Sequence, residues 1–505
     1  MTFASGPHCR WTRSITRLLV SLLIVLLIAA NYQPQTLAQE DNLLALTGGT
    51  LIDGNGGPPL PNAVVLIKGN KIVAAGRQLK YPKSARVVDA SGKYILPGFI
   101  DLHVHYTEWM GELLLAHGVT TVKDLGNDVD WISKVSREVD EGKFRGPRIF
   151  FVGDGLDAPP ASKEHHHVAV EDSKMAQAAV TILKSRGASG IKVREKITPE
   201  LLRAITDKAH QLGMVVTGHL RQTDAREAAL AGIDGLEHAT GILQALGKSS
   251  RTIDPSQNEL KRFVADLKAF SQIDDAKLDE LLAFLSKKKV ALIPTMSIFW
   301  RMGSERRDEF AREDAEFAKI DALSYVPKEM RGIWATSAFY NLEPADLAEV
   351  KAGYKKMQQL LLKYSKAGGR VLCGSDTSIS VPGLSLQREM LMLVDSGFTP
   401  MQAITSATKA NAQFLGKGNE VGTIAAGKLA DLVVIDADPL QEIGNVRRVK
   451  MVIKNGQIVD TTYHADYSIP TPRPQPSHPG WLERELQNSQ KKSVANSNRR
   501  SESEQ

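Results

Sequence analysis

The stretch ILPGFIDLHVH, residues 95–105, is an apolar run that ends in two histidines, His103 and His105. Alternate residues of a strand point to the same side, so both imidazoles are expected to face one point. Imidazole is a common ligand for zinc-like ions. The pair therefore predicts half of a metal site at the carboxyl end of a buried strand, although paired histidines also occur in half-exposed strands that bind no metal.

The region around this stretch, residues 95–416, alternates apolar strand patterns with helical patterns, which is typical of parallel βα units. Eight candidate strands occur in it, and eight is the number that closes a (β/α)8 TIM barrel. They are residues 98–105, 120–125, 148–153, 190–193, 214–219, 235–238, 291–296 and 371–376. The fold class predicted for this domain is α/β, as a (β/α)8 barrel.

The helices between these strands carry clear start and stop signals. In TPELLRAITDKAHQLG, Thr198 is expected to cap a helix, Pro199 to begin it and Gly213 to end it. The connections at 238–291 and 299–366 are longer than a barrel needs and are rich in Lys, Glu, Asp and Leu. They predict helical insertions at the active face, or a lid.

The two ends of the chain share a different texture. Gly, Asn and Pro turns separate short β-rich segments in residues 39–94, and the same pattern returns at 417–463. Short strands of this kind are expected to be antiparallel. The two ends are predicted to pair into one small β-sandwich that flanks the barrel. The tail at 464–505 lacks an apolar period and is predicted to be disordered or loosely wrapped over the surface.

Residues 1–38 have the pattern of an export signal. Three arginines precede the apolar run LLVSLLIVLLIAA at 18–30, and small residues precede Gln39. The pattern predicts cleavage near Ala38 and a periplasmic or secreted protein. The apolar run is shorter than the roughly 20 residues that span a bilayer, so an uncleaved membrane anchor is the weaker alternative and no stable span is expected after cleavage.

The composition, 42% hydrophobic and 24% charged over 505 residues, suits a globular protein with a large core. The formal charge of +6 includes the signal arginines, and no basic stripe with interleaved aromatic residues occurs, so nucleic acid is not an expected partner. Cys9 lies in the signal and Cys373 in an apolar stretch, so the mature chain is expected to lack an intramolecular disulfide. Homo-oligomerisation remains open.

Side chains of ligand type stand at or near the ends of five predicted strands. After His103 and His105, they are Lys192, His219, His238 and Asp376. The carboxyl ends of barrel strands meet at one face, where catalytic groups lie. Each residue alone has a structural alternative, such as a hydrogen-bonded core histidine or a helix-capping aspartate. Together they predict a convergent metal-binding set.

The motifs PGFIDLHVH, GIKV, TGH, LEHA and GSD, with the closing GTIAAGKLADLVVID at 422–436, resemble those of the amidohydrolase superfamily. The resemblance covers the chain from about 45 to 460. It implies a (β/α)8 barrel flanked by a β-sandwich from both chain ends, and hydrolysis with one or two divalent metals. The lysine of GIKV is similar to that of the binuclear, carboxylated-lysine branch, which includes prolidase-like (Xaa-Pro) dipeptidases.

The resemblance also implies a division of the six residues between two ions, for which Zn²⁺ is the first choice. The more buried ion is held by His103, His105 and Asp376. The other ion is held by His219 and His238, and an N6-carboxylated Lys192 bridges the two. A lysine desolvated inside a barrel favours its neutral amine, and the neutral amine can add carbon dioxide to become a carbamate.

The predicted reaction is hydrolysis of an amide C–N bond, with dipeptides as substrates, by metal-activated hydroxide with Asp376 as general acid and base. One alternative is a mononuclear hydrolase of cyclic amides or small esters, of the imidazolonepropionase type. Another is a metal-free binding homologue that kept the barrel and lost the reaction. Metal content distinguishes these hypotheses.

Residues near the ligands are candidates for substrate binding. Tyr106, Arg194 and Arg221 each follow a predicted ligand by one or two residues. An arginine there could clamp a substrate carboxylate bidentately, and a supporting or surface role is the alternative. A loop at 153–173 adds a run of histidines, which is interpreted either as a solvated polar loop or as a further metal or substrate contact. The run is His165, His166 and His167.

Overall fold

The fold is described from a computed structural model. The description covers residues 1, 43–160, 166–252, 259–336, 342, 344–377, 379–469, 471–475, 481–482 and 484–485. Apart from Met1, the predicted export signal lies outside the described residues. Within these ranges, no helix combines the length and the apolar character needed to cross a bilayer.

The first strands of the chain belong to a small mixed sheet. They are β1 (Leu43–Leu51), β2 (Leu60–Lys68), β3 (Lys71–Arg77), β4 (Arg86–Asp89) and β5 (Tyr94–Pro97). Strand β1 pairs antiparallel with β2 but parallel with both β4 and β5. The prediction of antiparallel strands was therefore wrong for these two neighbours. Strand β3 ends level with Gly49 near the end of β1, and β4 begins opposite Leu44 at its start, so residues 78–85 carry the chain back and β4 runs in the same direction as β1.

The next strands are parallel. They are β6 (Phe99–Val104), β7 (Val119–Asp124), β8 (Arg148–Phe151), β9 (Gly155–Asp157), β10 (His167–Ala169), β11 (Gly190–Val193), β12 (Val215–Gly218), β13 (Gly235–Glu237), β14 (Ala291–Ile293) and β15 (Arg370–Val371). Strands β6, β7 and β8 form one sheet, and the other seven form a second sheet in the order β10-β9-β11-β12-β13-β14-β15. The α/β class with parallel strands is therefore confirmed. Strands β9 and β10 were not predicted, because they lie in the stretch 153–173, whose Gly, Asp, Pro and His residues are typical of a loop.

Hydrogen bonds connect the two parallel sheets at two places. The chain after β15 bonds to β6, from Leu102 N to Cys373 O at 3.2 Å and from Asp376 N to His103 O at 2.7 Å. On the other side, Ser189 N donates to the last residue of β8 at 2.8 Å. Beneath these strands, apolar side chains of β6, β14 and the segment after β15 pack together with Phe414. The strand ends are thereby held close to one another.

Helices connect the parallel strands. They are α1 (Gly111–Ala116), α2 (Val129–Asp140), α3 (Ser173–Ser185), α4 (Pro199–Gln211), α5 (Ala225–Leu230), α6 (Ile242–Ala245), α7 (Glu259–Phe270), α8 (Asp275–Lys287), α9 (Met296–Gly303), α10 (Arg307–Ala318), α11 (Lys328–Thr336), α12 (Pro344–Lys366), α13 (Leu384–Asp395), α14 (Pro400–Thr405) and α15 (Asn411–Phe414), with a π-helical stretch (Ser406–Ala410) between the last two. Helix α4 has the predicted ends, because the Thr198 hydroxyl accepts from Leu201 N and Gly213 takes a positive φ of 67°. Where they are described, the long connections at 238–291 and 299–366 contain the helices that were predicted.

The last strands complete the small sheet. They are β16 (Leu432–Ile435), β17 (Val449–Lys454) and β18 (Gln457–Val459). Strand β16 pairs antiparallel with β5, with Leu432 opposite Pro97, so the sheet runs β18-β17-β16-β5-β1-β2-β3 with β4 beside β1. Strands from both ends of the chain thus lie in a single sheet.

The described part of the C-terminal tail is packed against the helices of the parallel domain. Tyr467, Ile469, Trp481 and Leu482 are buried, and the last three belong to the main hydrophobic core. For these residues the prediction of a disordered or loosely wrapped tail was wrong. The few large apolar side chains are irregularly spaced among Pro, Ser and charged residues, so the segment has no period that would reveal its docking. The rest of the tail, beyond residue 485, lies outside the described residues.

Candidate metal centre

Three side chains from two neighbouring strand ends form a compact cluster. His103 and His105 come from β6 and its end, and Asp376 comes from the segment after β15. Asp376 Oδ1 lies 3.8 Å from His103 Nε2 and 3.5 Å from His105 Nε2. One ligand atom of each residue lies within 4.8 Å of the others. Ligands bound at about 2.1 Å around one ion are separated by such distances, so the cluster can hold a metal ion.

His238, directly after β13, extends this cluster. Its Nε2 lies 3.7 Å from Asp376 Oδ2, and its ring centroid is 4.9 Å from that of His103. On its other side, His238 Nδ1 is hydrogen-bonded to the Thr295 hydroxyl. A partner on Nδ1 fixes the orientation of the ring and leaves Nε2 toward the carboxylate.

Glu237 is a site residue that the sequence analysis missed. Its Oε2 lies 2.8 Å from His103 Nδ1, and its Oε1 lies 3.7 Å from Lys192 Nζ. All three side chains are almost completely buried. Burial lowers the pKa of Lys192 to about 8, which outweighs the opposing attraction of Glu237. The signal that could have revealed Glu237 is an acidic residue inside a buried strand, directly before a predicted ligand.

His219 stands beside His238, with ring centroids 4.8 Å apart. Its two nitrogens face opposite charges, because Nδ1 lies 3.4 Å from the Arg194 guanidinium and Nε2 lies 3.6 Å from Glu195 Oε1. Burial holds the pKa of both His219 and His238 well below the usual value for histidine. Both imidazoles are therefore neutral near pH 7, which is the form that binds metals.

Asp101 supports the cluster from within β6. Its carboxylate accepts hydrogen bonds from His103 N at 3.1 Å and from Ser375 N at 2.9 Å, as well as from the Ser375 hydroxyl. Burial raises the pKa of Asp101 to about 7. The bonds tie the ligand-bearing end of β6 to the segment that carries Asp376. This role was also missed from the sequence, although Asp101 stands two residues before His103.

The donor set fits a divalent cation. Among the described residues, Lys192 Nζ and Glu237 Oε1 are buried atoms with no hydrogen-bond partner. Buried polar atoms of this kind cost free energy unless they are paired or bound to a metal. Imidazole nitrogens and carboxylate oxygens are the ligands that zinc-like ions take in proteins. The residues at these strand ends are therefore suited to bind a metal ion.

Two family models that describe the amidohydrolase family match the chain, one over residues 86–277 and the other over residues 305–459. The chain belongs to the amidohydrolase superfamily. Members of this family are hydrolases that act on carbon–nitrogen bonds, which confirms the predicted enzyme class. Family members typically use divalent metals, in agreement with the cluster of two histidines and an aspartate.

Individual relatives extend this comparison. An imidazolonepropionase from Streptomyces griseus is 25% identical over 76% of this chain and 88% of its own length. A dihydroorotase from Anaeromyxobacter dehalogenans is 39% identical, but the match spans only 13% of this chain and 15% of that protein. The crystal structure of a Xaa-Pro dipeptidase with bound methionine in the active site superposes with a TM-score of 0.58, at 21% identity over 83% of this chain and 100% of that one. This last likeness shows a shared fold.

In this amidohydrolase, Tyr106 lies away from the metal-binding cluster. Its side chain is completely buried, and its hydroxyl lies beside Gly111, Gly146 and the Tyr467 ring. The prediction that Tyr106 contacts substrate was therefore wrong. Neighbouring residues of an extended chain point to opposite sides, so the residue after His105 faces the helices rather than the ligands.

The two arginines differ in position. Arg194 is buried, with its guanidinium beside His219 as described above. Arg221 is held instead by Asp266 at 2.9 Å and by Ser249 at 3.3 Å, with Glu195 near its Nε at 3.7 Å. These contacts use the guanidinium of Arg221 for an ion-pair network beside the site.

The histidine run does not form a solvated loop where it is described. His166 is 1% exposed and His167, at the start of β10, is 3% exposed. His166 Nε2 bonds to Pro474 O at 3.3 Å. His165 lies outside the described residues. The solvated-loop interpretation was wrong for His166 and His167, because the tail and strand β9 cover them.

Proposed function

We propose that the protein is a metal-dependent hydrolase that cleaves amide bonds of small substrates. The observation that carries the proposal is the approach of His103, His105 and Asp376 to within 4.8 Å at strand ends, beside a buried amine. Family membership supports a reaction at a carbon–nitrogen bond. A metal-free binding role is disfavoured, because such a protein would have no use for buried imidazoles that converge on a carboxylate.

We propose two ions, with Zn²⁺ as the first choice. The three residues named above would hold one ion, and His219 and His238 would hold the other. Lys192, carboxylated on Nζ, would bridge the two. The depressed pKa of Lys192, to about 8, supports this modification because the neutral amine is the form that adds carbon dioxide. A divalent ion at such a site activates water and polarises the scissile carbonyl.

Asp376 is the residue proposed to move the proton. Its two carboxylate oxygens face imidazoles of three histidines at 3.5 to 3.8 Å. The Asp376 side chain is 12% exposed, although its Oδ1 is buried. From this position Asp376 would accept a proton from the attacking water and return it to the leaving nitrogen. Glu237 and Thr295 would hold His103 and His238 in place during these steps.

Dipeptides, including those with a C-terminal proline, are the proposed substrates. The superfamily fold shared with a Xaa-Pro dipeptidase supports this choice. Arg194 supplies a buried cation beside His219 and is proposed to bind the substrate carboxylate. Phe263 of α7, whose ring stacks on His219 at 5.8 Å, would contact the apolar part of the substrate.

A second candidate function is hydrolysis of a cyclic amide with one metal ion. The alignment with an imidazolonepropionase over 88% of that protein favours it. The compact cluster contains ligands for a single ion, which is compatible with a mononuclear centre.

The proposal includes the architecture and the location of the enzyme. The hydrogen bonds between the two parallel sheets support one closed (β/α)8 barrel within residues 95–416. The sheet shared by both chain ends supports a flanking β domain, predicted as a sandwich, from residues 39–94 and 417–463. Export with cleavage near Ala38 is proposed from the signal pattern alone. Sequencing the amino terminus of the mature protein tests it.

A dipeptide library, scored by release of free amino acids from metal-loaded protein, tests the function. Cleavage of Xaa-Pro or related dipeptides, lost after chelation and restored by metal, would support the leading proposal. Cleavage of cyclic amides but no dipeptide would favour the second candidate. If the protein binds none of Zn²⁺, Mn²⁺ or Co²⁺ in the presence of bicarbonate and cleaves neither class, both proposals are wrong.

A further inference from the structure

The described C-terminal residues after β18 lie against the parallel domain but belong to none of its strands. After β18, the chain passes along α1 and α2, where His464 bonds to Glu112 at 3.0 and 2.9 Å and Tyr467 Oη donates to Arg145 O at 2.7 Å. It then reaches the amino-terminal turn of α2, where Trp131 Nε1 donates to Thr471 O at 3.1 Å. The described residues from 464 to 485 are called the C-terminal strap below.

The far end of the strap is anchored between α2 and α3. Trp481 Nε1 donates to Asp154 Oδ2 at 3.0 Å, and the Trp481 side chain is 3% exposed. The guanidinium of Arg186 lies 5.1 Å from the centre of the Trp481 ring and 3.4 Å from Glu485. The described residues 471–475 lie between these two sets of anchors.

Between these anchors, Arg473 enters the carboxyl ends of the parallel strands. Its Nε donates to Asn127 Oδ1. Asn127 is completely buried, and its Nδ2 donates to Asp124 Oδ1 at 2.6 Å and to Tyr106 O at 3.0 Å. Asp124, also completely buried, accepts from Tyr106 N at 2.9 Å. The chain of bonds therefore runs from the strap to both backbone groups of the residue after His105.

The same turn lies beside the His105 imidazole. Gly126, between Asp124 and Asn127, has a φ of 153°, and a Cβ placed on it would lie 3.6 Å from His105 Nδ1. The turn therefore faces the ring, and Asn127 holds the turn through its bond to Asp124. A shift of this turn would move His105 relative to Asp376, from which its Nε2 is 3.5 Å distant.

We propose that Arg473 is a positioning residue for the metal centre, which fixes the ligand His105 through Asn127, Asp124 and the backbone of Tyr106. The inference rests on the proposed function, because it assigns His105 to a metal ion. Partners behind metal ligands affect metal affinity by about 10- to 100-fold, and Arg473 acts through two further residues, so roughly a threefold to tenfold effect is expected.

Arg473→Gln in the full-length mature protein tests the proposal. The variant should bind Zn²⁺ roughly threefold to tenfold more weakly in competition with a chromophoric chelator. It should lower kcat more than it changes KM, because substrate does not touch Arg473. It should also speed hydrogen exchange of the Tyr106 amide, read from peptides that cover residues 102–110. Arg473→Lys, which keeps the charge and one donor, should restore part of each effect.

Lys134→Gln is the matched control. Lys134 donates to the Thr471 hydroxyl at 2.9 Å, so this change removes one cation and one bond to the strap without touching Asn127. It should leave zinc affinity and Tyr106 exchange unchanged. The proposal is overturned if the Arg473→Gln variant has the wild-type rate of hydrogen exchange at the Tyr106 amide and the wild-type affinity for zinc. Equal effects of Lys134→Gln would also overturn it, because they would indicate only general loosening of the strap.

These outcomes are separate from failure of the proposed function. A wild-type protein that cleaves no amide would refute the function, while zinc affinity and Tyr106 exchange would still decide the role of Arg473. A wild type that binds none of Zn²⁺, Mn²⁺ or Co²⁺ in the presence of bicarbonate would refute both the function and the assignment of His105 as a ligand.

Discussion

The two parts of the candidate metal centre differ in how complete they are. The aspartate half, His103, His105 and Asp376, brings its ligand atoms within 4.8 Å of one another. Within the part of the chain that the structure describes, no other three His, Cys, Asp or Glu side chains come this close. The lysine half, Lys192 and His219, places an amine beside Glu237 and an imidazole between Arg194 and Glu195.

The difference teaches that the aspartate half already brings its ligand atoms together, whereas the lysine half presents an amine where the proposed second ion needs an anion. Carboxylates and hydrogen bonds behind the aspartate half hold its ligands in place before any ion arrives. An amine is a cation until it loses its proton, and it becomes a bridging anion only by reacting with carbon dioxide. Under the proposed function, the second ion therefore depends on a modification that follows folding.

The largest effect is expected from Asp376→Asn, because Asp376 belongs to the aspartate half and also faces His238 of the other ion. Removing the proton acceptor should lower kcat by about 10²- to 10⁴-fold. Steady-state kinetics on the best library substrate, with metal content measured on the same sample, checks this. Asp266→Asn, which breaks an ion pair with Arg221, is the control. A kcat near the wild-type value would remove Asp376 from the proposed mechanism.

Lys192→Ala tests whether binding of the second ion depends on the lysine half. The wild type should bind a second ion per chain only when bicarbonate is present, and the variant should stop at one ion. Elemental analysis after loading with and without bicarbonate measures this.

The control for this change is Lys123→Met, since Lys123 is the other buried lysine near Glu237 and burial lowers its pKa to about 8 as well. It should keep the wild-type stoichiometry. Two ions in Lys192→Ala would show that no carbamate is needed and that the halves are equivalent.

Glu237→Gln tests whether the carboxylate behind His103 contributes to metal binding by the aspartate half. The variant keeps the shape of the side chain but weakens the bond to His103 Nδ1. Loss of a carboxylate behind a ligating histidine costs about 10- to 100-fold in metal affinity. Chelator competition measures the change in the dissociation constant of the tighter ion. An unchanged constant would mean that His103 is fixed by its backbone alone.

The smallest effect is expected from Thr295→Val, which removes the hydroxyl that bonds to His238 Nδ1. One hydrogen bond is worth about 0.5–1.5 kcal/mol, so metal affinity should fall at most about tenfold. Binding of Co²⁺, followed by its visible absorption, reports on the geometry of the ion as well as its affinity. A change as large as that of Glu237→Gln would contradict the ranking and place the controlling contact at His238.

The ligand candidates were predictable because they obey two simple rules. His103 and His105 follow the strand period of two, and Lys192, His238 and Asp376 stand at ends of parallel strands, which meet at one face. The structure brings these residues together. The rules say nothing of pairs fixed only by tertiary contact, so the approach of Glu237 to both His103 and Lys192 was missed.

Other features were hidden for different physical reasons. Tyr106 was misplaced because proximity in sequence to a ligand does not set the side of the chain on which a residue lies. Arg473 and Trp481 were hidden because a polar, proline-rich tail shows no period, and their docking depends on Asn127 and Asp154, which follow β7 and β8. Sequence patterns predict helices and strands, which have a regular period. They fail for a segment whose conformation depends on the surface on which it docks.

The pairing of Leu432 with Pro97 limits the order in which the strands of the small sheet can pair during synthesis of the chain. Strand β5 is synthesised early, but the strand that covers its edge is made only after every parallel strand. Contacts so distant in sequence form slowly, and an uncovered edge can pair with another chain in the meantime. A nascent chain that stops before residue 432 would therefore carry an open β edge at β5, and this edge can be covered only once β16 has been made.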